Sequence, residues 1–305
     1  MIDRTTKLRW RRKVRQRQRQ IEGISSWAEE HIDKHFFRRL GRLYEVLRFL
    51  AAWMLLVIVL IGAVAIQTRA LGDYFLKLVP VAGGIYSEGM IGAYTNANPI
   101  FASPEVDTSV SKLLFSGLLT YDQSNDLVGD LAQSLTIDET GKTYTVVLRD
   151  DVQWHDGTPF TAADVVFTIA RIQNPDARSP YFSAWQGVKV TATNDKTVVF
   201  TMPNILASFP HSLTIGMLPR HKLEQVKAVD LRGSLFNTVE PVGTGPFRWN
   251  DVEVIGDTAE LREQRIALSA NGTYHQGRPK IDEFILRAFL NEATLLRSYN
   301  EGKLN

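Results

Sequence analysis

"DVQWHDGTPFTAADVVFTI", residues 151–169, sets His155 against Asp156, then a glycine, a proline and an apolar run. Two readings compete: a catalytic His/Asp pair, or polar side chains that shape a turn. Asp156-Gly157 is a strong turn dipeptide, and Pro159 fixes φ. Thr161 stands three residues before Asp164, the spacing of a capping box. There the hydroxyl takes a free amide at the helix start and the carboxylate reaches back. Val165, Val166, Ile169 and Ile172 recur on one helical face. The stretch therefore reads as strand, tight turn and capped helix, with His155 flanking the turn.

For catalysis His155 would need a nucleophile or a metal partner within reach. The sequence offers no G-x-S-x-G elbow, no H-E-x-x-H and no second His at i+4. "TGKT" (140–143) is no phosphate loop, because Thr136 occupies the place of the first glycine; Gly141 reads as a hairpin turn. Asn271-Gly272-Thr273 fits a glycosylation sequon, a match that short sequences often make by chance. Neither an enzymatic activity nor a cofactor nor a metal is expected.

Outward from this stretch the pattern is mixed α and β. Residues 84–94 and 142–150 alternate as strands, and 187–202 form a hairpin about Asn194-Asp195-Lys196. Residues 106–122 carry apolar side chains at helical spacing, a helix ending near Gly117. Helical stretches are expected around 205–217 and 219–229, strands over 261–269 and 280–290, and a helix opened by Asn291. The chain has 305 residues, 44% hydrophobic and 22% charged, enough for one large domain or two ordinary ones. It has no Cys, which excludes disulfides, cysteine metal sites, thiol nucleophiles and a lipid-modified N-terminal Cys.

Residues 49–66, "FLAAWMLLVIVLIGAVAI", hold no charge. At about 1.5 Å per residue an uncharged run of this length approaches the hydrocarbon thickness of a bilayer. A buried core helix and a cleaved signal peptide ending at Ala63–Ala65 are the competitors. The polar stripe of a core helix is absent, and 48 residues precede the run where a signal peptide has a short basic head. A transmembrane helix over 49–66 is the expectation. Residues 1–48 carry 14 Lys/Arg against 6 Asp/Glu, and residues 67–305 carry 21 against 27. The positive-inside rule then puts a basic cytoplasmic head (1–48) inside and the body outside the cell membrane. "KLRWRRKVRQRQRQ" (7–20) suits an anionic lipid surface beside such a span better than nucleic acid, which is not expected as a partner. Residues 24–48 read as a mildly amphipathic helix along the inner leaflet.

Four stretches in order, "SKLLFSGLLTYD" (111–122), "DLAQSLTIDETGKTYTVVLRDDVQWHDGTPFTAADVVFTI" (130–169), "PVGTGPFRW" (241–249) and "NGTYHQGRPKIDEFILRAF" (271–289), resemble the family 5 solute-binding proteins of ABC transporters, the oligopeptide- and dipeptide-binding type. The resemblance covers residues 83–305. It implies an α/β fold, the first lobe of a type II periplasmic-binding-protein-like clamp, preceded by one transmembrane helix and a linker over 67–82. It further implies that the second lobe is largely missing, because "SYNEGKLN" (298–305) falls where the family enters it. Gly302 to Asn305 also depart from the acidic pattern that the family writes there, and a truncated gene or clipped fragment is expected.

Carried over residue by residue, "GAYTNANP" (92–99) corresponds to a cleft-lining strand-to-loop segment whose backbone pairs with an extended peptide, giving Ala93 and Tyr94. "RSPYFSAW" (178–185) matches a loop with a ligand-facing Tyr, giving Tyr181, with Trp185 and Asn271 as weaker candidates. Core packing is the competing reading for each aromatic. "VGTGPF" (242–247) reads as a close-packed turn near the interlobe crossing. The function this implies is a membrane-anchored component that binds oligopeptides outside the membrane and delivers them to ABC permease subunits. The alternatives are a peptide sensor signalling through the head, a non-functional fragment, and, weakest, a hydrolase built on His155.

Overall fold

The computed structural model describes residues 47–75, 81–256, 258 and 262–305. Of the basic head expected over residues 1–48 and its amphipathic helix over 24–48, all but residues 47 and 48 lie outside the described residues. The chain divides into two compact units, one ending at Val79 and the other spanning Pro80–Asn305.

In the first unit, helix α1 (Leu47–Phe75) contains the expected span and extends beyond it. The linker expected to start at residue 67 is helical as far as Phe75. Gln67 to Leu71 contain no proline to stop the helix, and the Thr68 hydroxyl donates back to the Ala65 carbonyl at 3.0 Å. Phe49–Gly72 is long and apolar enough to cross a membrane, and none of it is buried in the protein. At about 1.5 Å per residue it exceeds the roughly 30 Å hydrocarbon core of a bilayer.

The second unit holds ten strands among the described residues. These are β1 (Ile85–Ile91), β2 (Leu119–Tyr121), β3 (Leu127–Gly129), β4 (Ala132–Ile137), β5 (Thr143–Leu148), β6 (Lys189–Asn194), β7 (Thr197–Thr201), β8 (Phe247–Ile255), β9 (Glu263–Ala270) and β10 (Glu283–Phe289). One sheet has the order β1-β10-β9-β8, with β1 parallel to β10 and the others antiparallel. A second, β4-β5-β7-β6, is antiparallel throughout, and β2-β3 form a small ribbon. Three longer helices pack on them: α2 (Glu105–Leu114) beside β8, α3 (Ala162–Ile172) on β6 and β7, and α4 (Glu292–Asn300) on β1 and β10.

The turn and the capped helix of the opening stretch form as expected, but the strand expected before the turn is reduced to an isolated bridge between Gln153 and Pro159. The Asp164 carboxylate reaches back to the Thr161 N–H at 2.9 Å, the reciprocal cap of α3. Gly157 takes φ +87°, a turn conformation that glycine adopts without strain. Val165, Ile169 and Ile172 are buried in the core, each contributing roughly 1.5–3 kcal/mol, and Val166 is half-buried. Asn291 caps α4 by accepting the Thr294 N–H at 2.9 Å.

Three expectations are corrected. Helix α2 stops at Leu114, short of Gly117, because the Gly245 N–H takes the Leu114 carbonyl at 2.9 Å and Phe115 turns extended. The helices expected over 205–217 and 219–229 shrink to single turns, Phe209–Ser212, Arg220–Leu223 and the 3₁₀ segment Ala228–Gly233. Pro203, Pro210, Gly216 and Pro219 interrupt the ladder, while Phe209, Leu213, Met217 and Leu218 still reach the core. Strands β2, β3, β4 and β8 lie where no strand is expected from the sequence, and β8 is the longest of them. Its pairing shifts register between Trp249 and Asp251, which breaks the alternation that would mark it.

Candidate functional site

His155 and Asp156 part company. The His155 Nδ1 accepts the Gly243 N–H at 3.1 Å, and Nε2 lies 3.1 Å from the Gly245 carbonyl, which assigns its proton to Nε2. Burial pushes this imidazole down to about 4, opposed by the bond to Gly245. Asp156 meets His221 Nε2 at 2.8 Å and Lys222 Nζ at 3.3 Å, and accepts the Thr158 N–H. Burial pushes its carboxyl up, but the bonds from His221 and Thr158 outweigh that and hold it below the usual range. Neither group is arranged as the other's catalytic partner.

The loop after β1 is tied down from several sides. The Gln264 side chain receives the Tyr94 N–H at 2.7 Å and donates to the Tyr94 carbonyl at 3.0 Å. Buried Asp107 of α2 accepts the N–H groups of Thr95 and Asn96 and the Thr95 hydroxyl. The Ala97 N–H goes to Asn237 O and the Asn98 N–H to Asn96 Oδ1. Gly92 N–H goes to Phe289 O. The Ala93 N–H has no partner among the described residues, whereas the N–H groups of Tyr94 to Asn98 are all engaged within the protein.

Each carried-over residue has a definite place. Ala93 is half-buried, at the edge of a hollow of about 270 Å³ with Val254, Gln264 and Leu290. Tyr94 is 5% exposed, its ring 5.6 Å from Trp249 and its hydroxyl donating to Asn237 O at 3.0 Å. Burial and the Asp107 charge raise the pKa of its phenol. This side chain is core. Asn271 is fully buried: Nδ2 donates to Gly245 O, and Oδ1 accepts from Arg248 Nε and from the Thr273 N–H and hydroxyl. It braces the 243–245 crossing at the same Gly245 carbonyl that His155 Nε2 meets, and offers no free group to a ligand.

Tyr181 and Trp185 fall together. They wall an open cleft of about 440 Å³ whose other sides are Pro99 and Ala102, the outer face of α2 (Thr108, Ser111, Lys112), and the 208–216 segment. The Tyr181 hydroxyl donates to Ala102 O at 2.9 Å, and Ser179 Oγ donates to Ile100 O at 2.7 Å, so one turn straps the other. Burial raises the Tyr181 phenol. Trp185 is 1% exposed and packs against Phe200 and Phe209, supporting the wall from behind. His211 stands on the rim, its Nδ1 hydrogen-bonded to the Tyr121 hydroxyl at 2.6 Å with the rings stacked. Sequence reasoning missed Lys112, Ser208 and His211; Lys112 is a lone cation in an apolar helix repeat, and the others sit in turns read as helix. Among the described residues no group of three or more His, Asp or Glu side chains stands close enough to hold a metal ion.

Residues 126–305 match the description of bacterial extracellular solute-binding proteins, family 5 Middle. A Brucella ovis protein named for peptide binding in an ABC transporter is 32% identical over 227 residues, 73% of this chain and 41% of that protein. The oligopeptide-binding protein AppA of Bacillus subtilis is 28% identical over 229 residues, and its structure with a nonapeptide superposes with a TM-score of 0.67, covering 74% of this chain and 44% of AppA. NikZ of Campylobacter jejuni, solved with Ni(L-His), gives a TM-score of 0.64 at 30% identity, covering 72% of this chain and 42% of NikZ. The chain thus spans less than half the length of these relatives.

Proposed function

The chain belongs to the family 5 bacterial extracellular solute-binding proteins, and from that premise we propose that it binds peptides outside the membrane and hands them to ABC permease subunits. Helix α1 anchors it, with the N-terminus in the cytoplasm. The observation that carries the binding reading is the open cleft walled by Tyr181, Trp185 and Lys112. Its walls combine aromatic surface, hydroxyl groups and backbone, the mixture that grips a flexible solute without acting on it. Supporting it, AppA was solved with a peptide bound. Anchorage rests on Phe49–Gly72, whose first 18 residues hold no charge and which is not buried in the protein. Orientation rests on the 14 basic residues that precede it.

The absence of Cys makes the test clean. Ser208 is an exposed cleft residue whose side chain caps no helix. The full chain carrying Ser208→Cys, labelled with an environment-sensitive dye in detergent, is titrated with tetrapeptides. A saturable signal that leaves the peptide intact by mass spectrometry is the expected result. No saturable response at millimolar peptide, or cleavage of the peptide, overturns the reading.

A further inference from the structure

The cleft walled by Tyr181 and Lys112 differs in charge from the body around it. Residues 67–305 carry an excess of acidic groups, 27 against 21 basic. Among the 14 residues lining the cleft there is no Asp or Glu. The lining has one ammonium, Lys112, one imidazole, His211, and the hydroxyls of Thr108, Ser111, Ser208, Ser212 and Thr214. Lys112 is exposed and makes no ion pair among the described residues, which leaves its ammonium open to an anion in the cleft. The buried carboxylate of α2, Asp107, is committed to Thr95 and Asn96.

We infer that this cleft selects solutes carrying a carboxylate, which Lys112 meets as an ion pair while the hydroxyls of Thr108, Ser111 and Ser212 donate hydrogen bonds to it. This rests on the solute-binding reading of the same cleft and adds a ligand class to it. A neutral amide of the same shape meets the same hydroxyls but forgoes the charge-assisted bond, which is about twice as strong as a neutral one. Since Lys112 is reached by water, the preference is modest: about three- to fivefold in Kd at low salt, fading as screening increases. The carboxylate has two possible sources, an acidic side chain or a free C-terminus.

The test titrates the Ser208→Cys dye conjugate of the full chain with Ala-Ala-Glu-Ala and Ala-Ala-Gln-Ala, each with a free and an amidated C-terminus. The expected result is at least threefold tighter binding of a carboxylate-bearing peptide over its amide counterpart in 20 mM salt, lost in 500 mM salt. Comparing the Glu peptide amide with the free-acid Gln peptide assigns the source. Lys112→Met abolishes the preference and Lys112→Arg keeps it; an exposed, unpaired position tolerates both. Equal binding of all four peptides overturns the inference and leaves peptide binding standing. A preference that survives Lys112→Met overturns the assignment to this cleft. Failure of every peptide to bind overturns the solute-binding reading together with the inference.

Discussion

His155 and Gly243 exchange two hydrogen bonds of opposite direction: the His155 N–H donates to Gly243 O at 2.8 Å, and the Gly243 N–H donates to the His155 ring at 3.1 Å. The ring's other nitrogen meets Gly245 O, so one residue after β5 makes three contacts with the crossing that leads into β8. A Cβ on Gly243 would overlap the Leu114 carbonyl oxygen, which explains the glycine. This pairing requires a neutral imidazole, because a proton on Nδ1 would confront the Gly243 N–H.

Stability therefore depends on pH. His155 is held near 4 in the folded chain against 6.5 when unfolded. Between those values the unfolded state binds the extra proton, so stability is lost as pH falls from about 6.5 to about 4, at about 1.4 kcal/mol per unit. Urea midpoints measured from pH 7 to pH 4 should fall accordingly. His155→Phe should be less stable at pH 7 and show a flatter profile; an unchanged slope would count against this assignment.

Asp164 serves two chain segments at once, with Oδ2 on the Thr161 N–H at 2.9 Å and Oδ1 on the Arg220 N–H at 3.0 Å. Asp164→Ala should cost about 2–3 kcal/mol, the loss of a cap plus the part-buried Arg220 amide left without its acceptor. Asp164→Asn, with one acceptor oxygen, should cost about half as much by denaturant titration.

Asn271 makes four hydrogen bonds while fully buried. Asn271→Ala should lower stability by about 3 kcal/mol, because Arg248 and the Thr273 N–H lose their acceptor. Its effect on peptide affinity should be small, since the side chain reaches no cleft surface.

Tyr181 and Trp185 should separate affinity from stability. Trp185→Ala empties a fully buried site and should cost about 3–5 kcal/mol. Tyr181→Phe removes one hydrogen bond, to Ala102, and should cost about 1 kcal/mol. Tyr181→Ala should weaken peptide binding about tenfold in the dye titration, with the fold retained by circular dichroism.

The topology is testable with a single thiol. Thr193 lies exposed in the β6–β7 hairpin. In intact cells Thr193→Cys should react with a membrane-impermeant maleimide, and a Cys placed at Gln16 should react only after lysis. The reverse pattern would invert the proposed orientation.

What could be read directly from the sequence was local. The capping box of Thr161 and Asp164 and the β6–β7 hairpin each need only neighbours in the chain to form. Tyr94 and Asn271 could not be placed this way. Their burial depends on Asn237, Gln264, Trp249 and Arg248, brought together only by the assembled sheet. Lys112 was passed over because a lone lysine on a helix ordinarily faces water; the 208–216 segment that turns its surroundings into a cleft lies far along the chain.

The parallel alignment of β1 with β10 sets Ile85 opposite Glu283. At a synthesis rate of about 5–20 residues per second, the first strand waits on the order of ten to forty seconds before its partner exists. During that delay an edge bearing Ile85, Tyr86, Met90 and Ile91 is open to wrong pairing. The high sequence separation of this one ladder makes completion of the sheet the step at which variants of low yield are expected to fail.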